Sequence, residues 1–203
     1  MALEKPFGRQ SLETALHELG RRAHDEGKTV EISIYRGSAL ILTYDCRVAT
    51  RDVDAVFEAD RQTVRRLAAE VADDFGWDHD WLNDGVKGFL SVADSDPEMK
   101  RLFATYPSED QPGLRVTVAN PRYLFAMKCR AMRIGGVTEN SDVDDIRHLA
   151  REIGITSSEE ALRLVEKFYP NNLLETKVRF GLEEILDGAP EARAQSGEPG
   201  SIK

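Results

Sequence analysis

Two aspartates separated by one residue, Asp52 and Asp54, are the residues of this chain best suited to chemistry. If Asp52 to Phe57 is a strand, side-chain alternation puts both carboxylates on one face. Two carboxylates side by side repel unless a cation or a proton stands between them, which makes the pair a magnesium-type site. Upstream, Gly37-Ser38 follows an apolar-alternating segment and precedes Ala39-Leu40-Ile41-Leu42. A Gly-Ser turn at the start of a helix presents backbone N–H groups to an anion and suits a phosphate. Taken singly, each feature has a plainer reading: a D-x-D is a solvated strand end, and Gly-Ser is a common turn. Their order, strand then Gly-Ser then helix then D-x-D strand, is what raises the pair above either part.

The elements that must position these residues are readable from periodicity. Ser11 to Ala23 has Leu12, Ala15, Leu16 and Leu19 at helical spacing, Ser11 as N-cap and Gly27 as stop. Thr29 to Ile34 alternates as a strand, with Val30, Ile32 and Ile34 on one side and Glu31 and Ser33 on the other. Arg61 to Phe75 is a helix closed by Gly76, with Val64, Leu67, Ala68, Val71 and Ala72 on one face. Trp81 to Leu90 reads as a short helix or apolar turn, Met99 to Ala104 as a short strand, and Leu114 to Val118 as a clear strand. Pro121 opens a helix running to about Arg133. Three more helices follow: Asp142 to Ile153 before Gly154, Ser157 to Tyr169 before Pro170, and Asn172 to Leu186 before Gly188. The element order is that of an α/β or α+β core at 1–120, a helical part at 121–188 and a disordered tail at 189–203.

Composition limits the partners. Lys+Arg 27 against Asp+Glu 36 gives a formal charge of −9, which weighs against generic duplex binding, a mode that depends on broad phosphate neutralisation. One helix is an exception, since Arg122, Lys128, Arg130 and Arg133 follow one another along it; it fits a nucleotide or RNA end, or simply a solvated face. Cys46 and Cys129 have neither metal-type nor disulfide-type spacing and read as buried thiols. The four histidines show no ligand spacing, and Trp77, Trp81 and Phe89 read as core. With no apolar signal core and no run of about 18 apolar residues, the expectation is a cytoplasmic protein without a membrane partner.

In this order, Gly37-Ser38-Ala39-Leu40, Ala49-Thr50-Arg51-Asp52-Val53-Asp54, Asp80-Trp81-Leu82-Asn83 to Lys87-Gly88-Phe89, Tyr123 to Lys128, and Ser141 to Leu149 resemble the nucleotidyltransferase superfamily built on the DNA polymerase β-like palm. Within it the pattern looks closest to bacterial AbiEii-type and MenT-type nucleotidyltransferase toxins and their uncharacterised relatives. The resemblance covers roughly 31–149 and implies an α+β fold with an α/β-like core, a mixed sheet flanked by helices and a C-terminal helical part. It implies that Gly37 and Ser38 contact the triphosphate, that Asp52 and Asp54 hold Mg²⁺, that Lys128 touches the nucleotide phosphates, and that Asp145 is an acidic residue facing the site. Arg36 stands where the family's first glycine usually lies, Ser141 where a lysine precedes the acidic motif, and Arg115 and Thr117 occupy the outward positions of the strand that often carries a third acid. Read without the resemblance, Lys128 is a snorkelling lysine and Asp142, Asp144 and Asp145 are helix N-terminal charges.

The implied activity is Mg²⁺-dependent transfer of NMP from an NTP to an acceptor, a tRNA 3′ end foremost, by the toxin of a toxin–antitoxin or phage-defence system with a cognate antitoxin. The alternatives are a catalytically inactive nucleotidyltransferase fold with a binding or regulatory role, and a protein AMP-transferase.

Overall fold

The computed structural model describes residues 7–44, 49–132, 141–170 and 176–188. The chain divides into two compact units, Met1–Asn120 and Pro121–Lys203.

The first unit is built on one mixed five-stranded sheet in the order β3-β2-β1-β5-β4, formed by β1 (Val30–Ile34), β2 (Val53–Phe57), β3 (Leu82–Asn83), β4 (Lys100–Pro107) and β5 (Pro112–Ala119). The central strand β1 runs antiparallel to β2 and parallel to β5. The register sets Ile32 against Phe57 and Val116, and Ile34 against Ala55 and Val118, so one face is continuously apolar and fully buried. Helix α1 (Arg9–Asp25) packs on β4 and β5 and touches α3 (Arg61–Phe75). The approach of α1 is close: a Cβ at Gly113 would stand 1.8 Å from the Gly20 carbonyl oxygen, so only glycine lets backbone meet backbone there. The opposite face is polar. Ser33 donates to Glu58 at 2.6 Å and shares a 2.8 Å hydrogen bond with Thr117 on β5.

Several local readings are corrected. Helix α1 starts at Arg9 with Gly8 as N-cap, and Ser11 lies inside it, its hydroxyl turned back to the Gly8 carbonyl at 2.8 Å. The Trp81 to Leu90 stretch is a 3₁₀ turn, the two-residue edge strand β3 and a second 3₁₀ turn at Gly85–Phe89. Strand β4 runs on past Ala104 to Pro107, because β5 offers it an antiparallel partner along its whole length.

The second unit is helical: α4 (Pro121–Ala131), α5 (Ser141–Glu152), α6 (Ser158–Phe168) and α7 (Thr176–Leu182), the last continuing into a π-helical turn at Glu183–Asp187. Helix α4 packs against the other three, with Tyr123 stacked on Phe168 at 5.1 Å. The Ser157 hydroxyl accepts from Glu160 N–H while the Glu160 carboxylate accepts from Thr156 N–H, so the start of α6 is capped from both sides. Asp187 holds the same end through the Ser158 N–H and hydroxyl. Cys129 is buried, and burial pushes its thiol well above the usual range. Cys46, Arg133, Asn172 and the tail at 189–203 lie outside the described residues. No described helix is long and apolar enough to cross a membrane.

Candidate functional site

The Gly-Ser turn and the D-x-D strand meet at one edge of the sheet. Strand β1 ends at Ile34, the chain turns through Tyr35, and α2 (Arg36–Tyr44) begins at once. The Tyr35 N–H donates to the Asp54 carbonyl at 2.9 Å, tying the turn to β2. The first intrahelical bond of α2 is Ala39 N–H to the Tyr35 carbonyl, at 3.3 Å. A helix start leaves its earliest N–H groups without an intrahelical acceptor, and here those belong to Arg36, Gly37 and Ser38. Ser38 is 1% exposed and its hydroxyl donates to the Tyr35 carbonyl at 3.0 Å, so it braces the turn and keeps its oxygen lone pairs for a donor.

Asp52 and Asp54 are half-buried at the start of β2. β3 positions their neighbourhood: Asn83 pairs with Asp54 in the strand register, and its side-chain N–H₂ donates to the Asp52 carboxylate at 3.2 Å. The two-residue strand that the sequence left unmarked is thus what orients Asp52. Asp54 faces Arg36, whose guanidinium lies 3.5 Å away and also stacks over the Phe89 ring at 4.7 Å. Arg36 has φ +55°, the left-handed region.

Two carboxylates with hard oxygen donors fit Mg²⁺, which is commonly held by one or two carboxylates together with substrate phosphates. Among the described residues no group of three or more His, Cys, Asp or Glu is arranged to hold a metal by itself. The donor set therefore fits a metal that arrives with a phosphate-bearing ligand better than a caged one.

The polar face continues away from this edge. Lys100 on β4 reaches Glu58 at 2.9 Å and Asp94 at 3.4 Å, and the Tyr35 hydroxyl donates to Asp94 at 2.7 Å. Burial opposes the charge on both Glu58 and Lys100. It is outweighed by the Ser33 and Lys100 hydrogen bonds on Glu58, held below its usual value, and by Glu58 and Asp94 on Lys100, held above its own. The sequence reading passed over this cluster; the signal available was Glu58 continuing the alternation of Asp54 and Val56 along β2.

Lys128 and Asp145 belong to the second unit and meet each other there. Lys128 Nζ lies 2.7 Å from Asp145 and 2.8 Å from Asp142, with the Lys128 side chain 10% and the Asp145 side chain 4% exposed. Helices α4 and α5 thus bring together the lysine and the acidic motif. The basic residues on α4 differ in setting: Arg122 is exposed, Lys128 is buried between carboxylates, and Arg130 stacks over Tyr169 at 4.7 Å.

No family model matches this chain, and no curated protein does. Among solved structures it is similar to an antigenic nucleotidyltransferase-like protein from Paracoccidioides brasiliensis, at 15% identity over 87% of this chain and 95% of that one, with a TM-score of 0.46.

Proposed function

We propose that this chain is a nucleotidyltransferase that moves NMP from an NTP to an acceptor hydroxyl, with a tRNA 3′ end as the leading acceptor and the toxin of a toxin–antitoxin or phage-defence pair as the leading setting. The observation that carries the reading is the joining of a helix start at Gly37-Ser38 to the strand that bears Asp54 and is preceded by Asp52, through the 2.9 Å bond from Tyr35 N–H to the Asp54 carbonyl.

Nucleotidyl transfer asks a protein mainly for positioning and charge neutralisation. The first-turn N–H groups of α2, aided by the helix dipole, would receive phosphate oxygens. Ser38 would keep that turn in shape through its bond to the Tyr35 carbonyl. Asn83 would hold the Asp52 carboxylate in place. Asp52 and Asp54 would hold Mg²⁺, which when bound would neutralise phosphate charge and acidify an attacking hydroxyl. The acceptor hydroxyl would give its proton to water as its oxygen bonds to the α-phosphorus, the bond from that phosphorus to the β-phosphate oxygen would break, and pyrophosphate would leave with both bonding electrons. Lys128 and Asp145, which the resemblance matches to the phosphate-contacting lysine and a site-facing acid, form one ion pair within the second unit, so a change in either would act on both.

Incubation with each labelled NTP, Mg²⁺ and total tRNA tests the proposal. Label should move to tRNA, and Asp52→Ala with Asp54→Ala should abolish it; transfer that survives both substitutions refutes the site. The Arg36–Asp54 ion pair favours a second reading, an inactive fold kept for binding, since it supplies an internal cation to the acidic pair. That reading predicts no Mg²⁺-NTP affinity by calorimetry and a stable complex with a partner protein. A protein acceptor, the remaining alternative, would show as label on polypeptide instead of RNA.

A further inference from the structure

Arg36 combines three features that no requirement of the fold explains together. Its backbone sits at φ +55°, which a non-glycine residue adopts at a cost and glycine does not. Its guanidinium stacks on the Phe89 ring at 4.7 Å, so the 3₁₀ turn at Gly85–Phe89 supports it. That same guanidinium stands 3.5 Å from Asp54 Oδ2, with the Arg36 side chain 31% and the Asp54 side chain 14% exposed. Non-glycine residues held in sparsely populated backbone regions cluster where function demands them. Here the strained position projects a cation toward one member of a carboxylate pair.

Resting on the nucleotidyl-transfer reading above, we propose that Arg36 is a resident counter-cation of Asp54 in the free protein and moves from it to the nucleotide's phosphates when a divalent cation takes the carboxylates. The geometry is that of a displaceable partner. At 3.5 Å the pair is looser than a hydrogen-bonded ion pair, whose distances run at about 2.7–2.9 Å. Phe89 supports the guanidinium while the Arg36 side chain stays 31% exposed, and a planar fork suits phosphate oxygens better than a point charge does. Arg36 also precedes the Gly37 and Ser38 N–H groups in the same helix start, so cation and backbone donors would meet one anion. The arrangement makes metal binding without nucleotide weak and metal–nucleotide binding strong, since the displaced arginine regains a partner only when phosphate is present.

Metal and nucleotide arms moving in opposite directions test this. Mn²⁺ titration followed by the electron paramagnetic resonance of the free ion reads metal affinity, and calorimetry with the α,β-methylene analogue of each NTP in Mg²⁺ reads nucleotide affinity. Arg36→Gly, which suits the left-handed backbone, should tighten Mn²⁺ alone by about threefold, the scale of one partly exposed ion pair. It should weaken the Mg²⁺–analogue complex by about tenfold or more, the scale of a lost charge-assisted hydrogen bond. Arg36→Lys should leave Mn²⁺ binding as in the wild type and give a nucleotide affinity between the other two. Mn²⁺ binding unchanged or weakened in Arg36→Gly overturns the inference, as does parallel loss in both arms. Tightened Mn²⁺ with no analogue bound by any of the three proteins upholds the counter-cation and refutes the nucleotidyl-transfer reading instead.

Discussion

Lys128 is a buried cation held by two carboxylates. Its ammonium lies between Asp142 and Asp145, and the Asp145 side chain is only 4% exposed. Removing one partner of a buried ion pair costs up to about 3–5 kcal/mol. Lys128→Met should lower the stability seen in urea unfolding by that order, whereas Arg163→Met, which breaks the exposed pair with Glu159, should change it by under about 1 kcal/mol. A Lys128→Met protein as stable as the wild type would mean that α4 and α5 are held by their apolar packing alone. At this scale the residues alone read as a snorkelling lysine and helix N-terminal charges, and the resemblance placed Lys128 and Asp145 at the site without pairing them. Spacing along one chain does not say which faces of α4 and α5 meet. The role of Asn83 was hidden for the same reason: β3 is too short for any alternation to show.

At the scale of elements, the helices with strong apolar stripes and clear end signals fall where the sequence puts them. Arg61–Phe75 does so to the residue, since Asp60 caps Thr63 N–H and Gly76 takes the left-handed stop. The elements that shifted are those whose limits depend on a distant partner: β4 is extended by β5, and β3 exists only because β2 lies beside it. The cluster on the polar sheet face has the same non-local origin and makes its own prediction. Glu58 has a folded value below the ordinary 4.5, so protonation favours the unfolded chain. Its stabilisation is complete above pH 4.5 and fades as pH falls through the folded value. Lys100 is shifted the opposite way, above 10.5, so its share is complete below pH 10.5 and is lost only as pH rises through its folded value. Glu58→Gln should therefore flatten the acid side of a melting-temperature profile below pH 4.5. At neutral pH the same change should cost under about 1 kcal/mol, because the side chain is 37% exposed and solvent screens the pair. An acid limb as steep as the wild type's would assign that loss of stability to other carboxylates.

For the whole molecule, charge and site pull in opposite directions, and the balance decides what the protein binds. A chain at −9 disfavours broad contact with a phosphate backbone and leaves local groups of cations and helix N–H groups as the places for an anion. In unit Met1–Asn120 that gathering is the start of α2, with Arg36 beside it. A small, metal-neutralised triphosphate needs only that one locus, while duplex DNA needs neutralisation along its length. Thermal shift separates the two. NTP with Mg²⁺ should raise the melting temperature, since a ligand bound only by the folded state at about a hundred times its Kd adds about 2.7 kcal/mol. Mg²⁺ alone should raise it less, because Asp54 already has a counter-cation, and Asp52→Asn with Asp54→Asn should remove the NTP effect. Random duplex DNA should give no shift at physiological salt. A DNA shift equal to that of Mg²⁺–NTP and insensitive to the aspartate changes would move recognition away from the sheet edge to some other surface. The expected pattern, a response requiring metal and nucleotide together, follows from the way the carboxylates are held: two acids too few to cage a metal, one of them already paired, at a helix start ready for an anion.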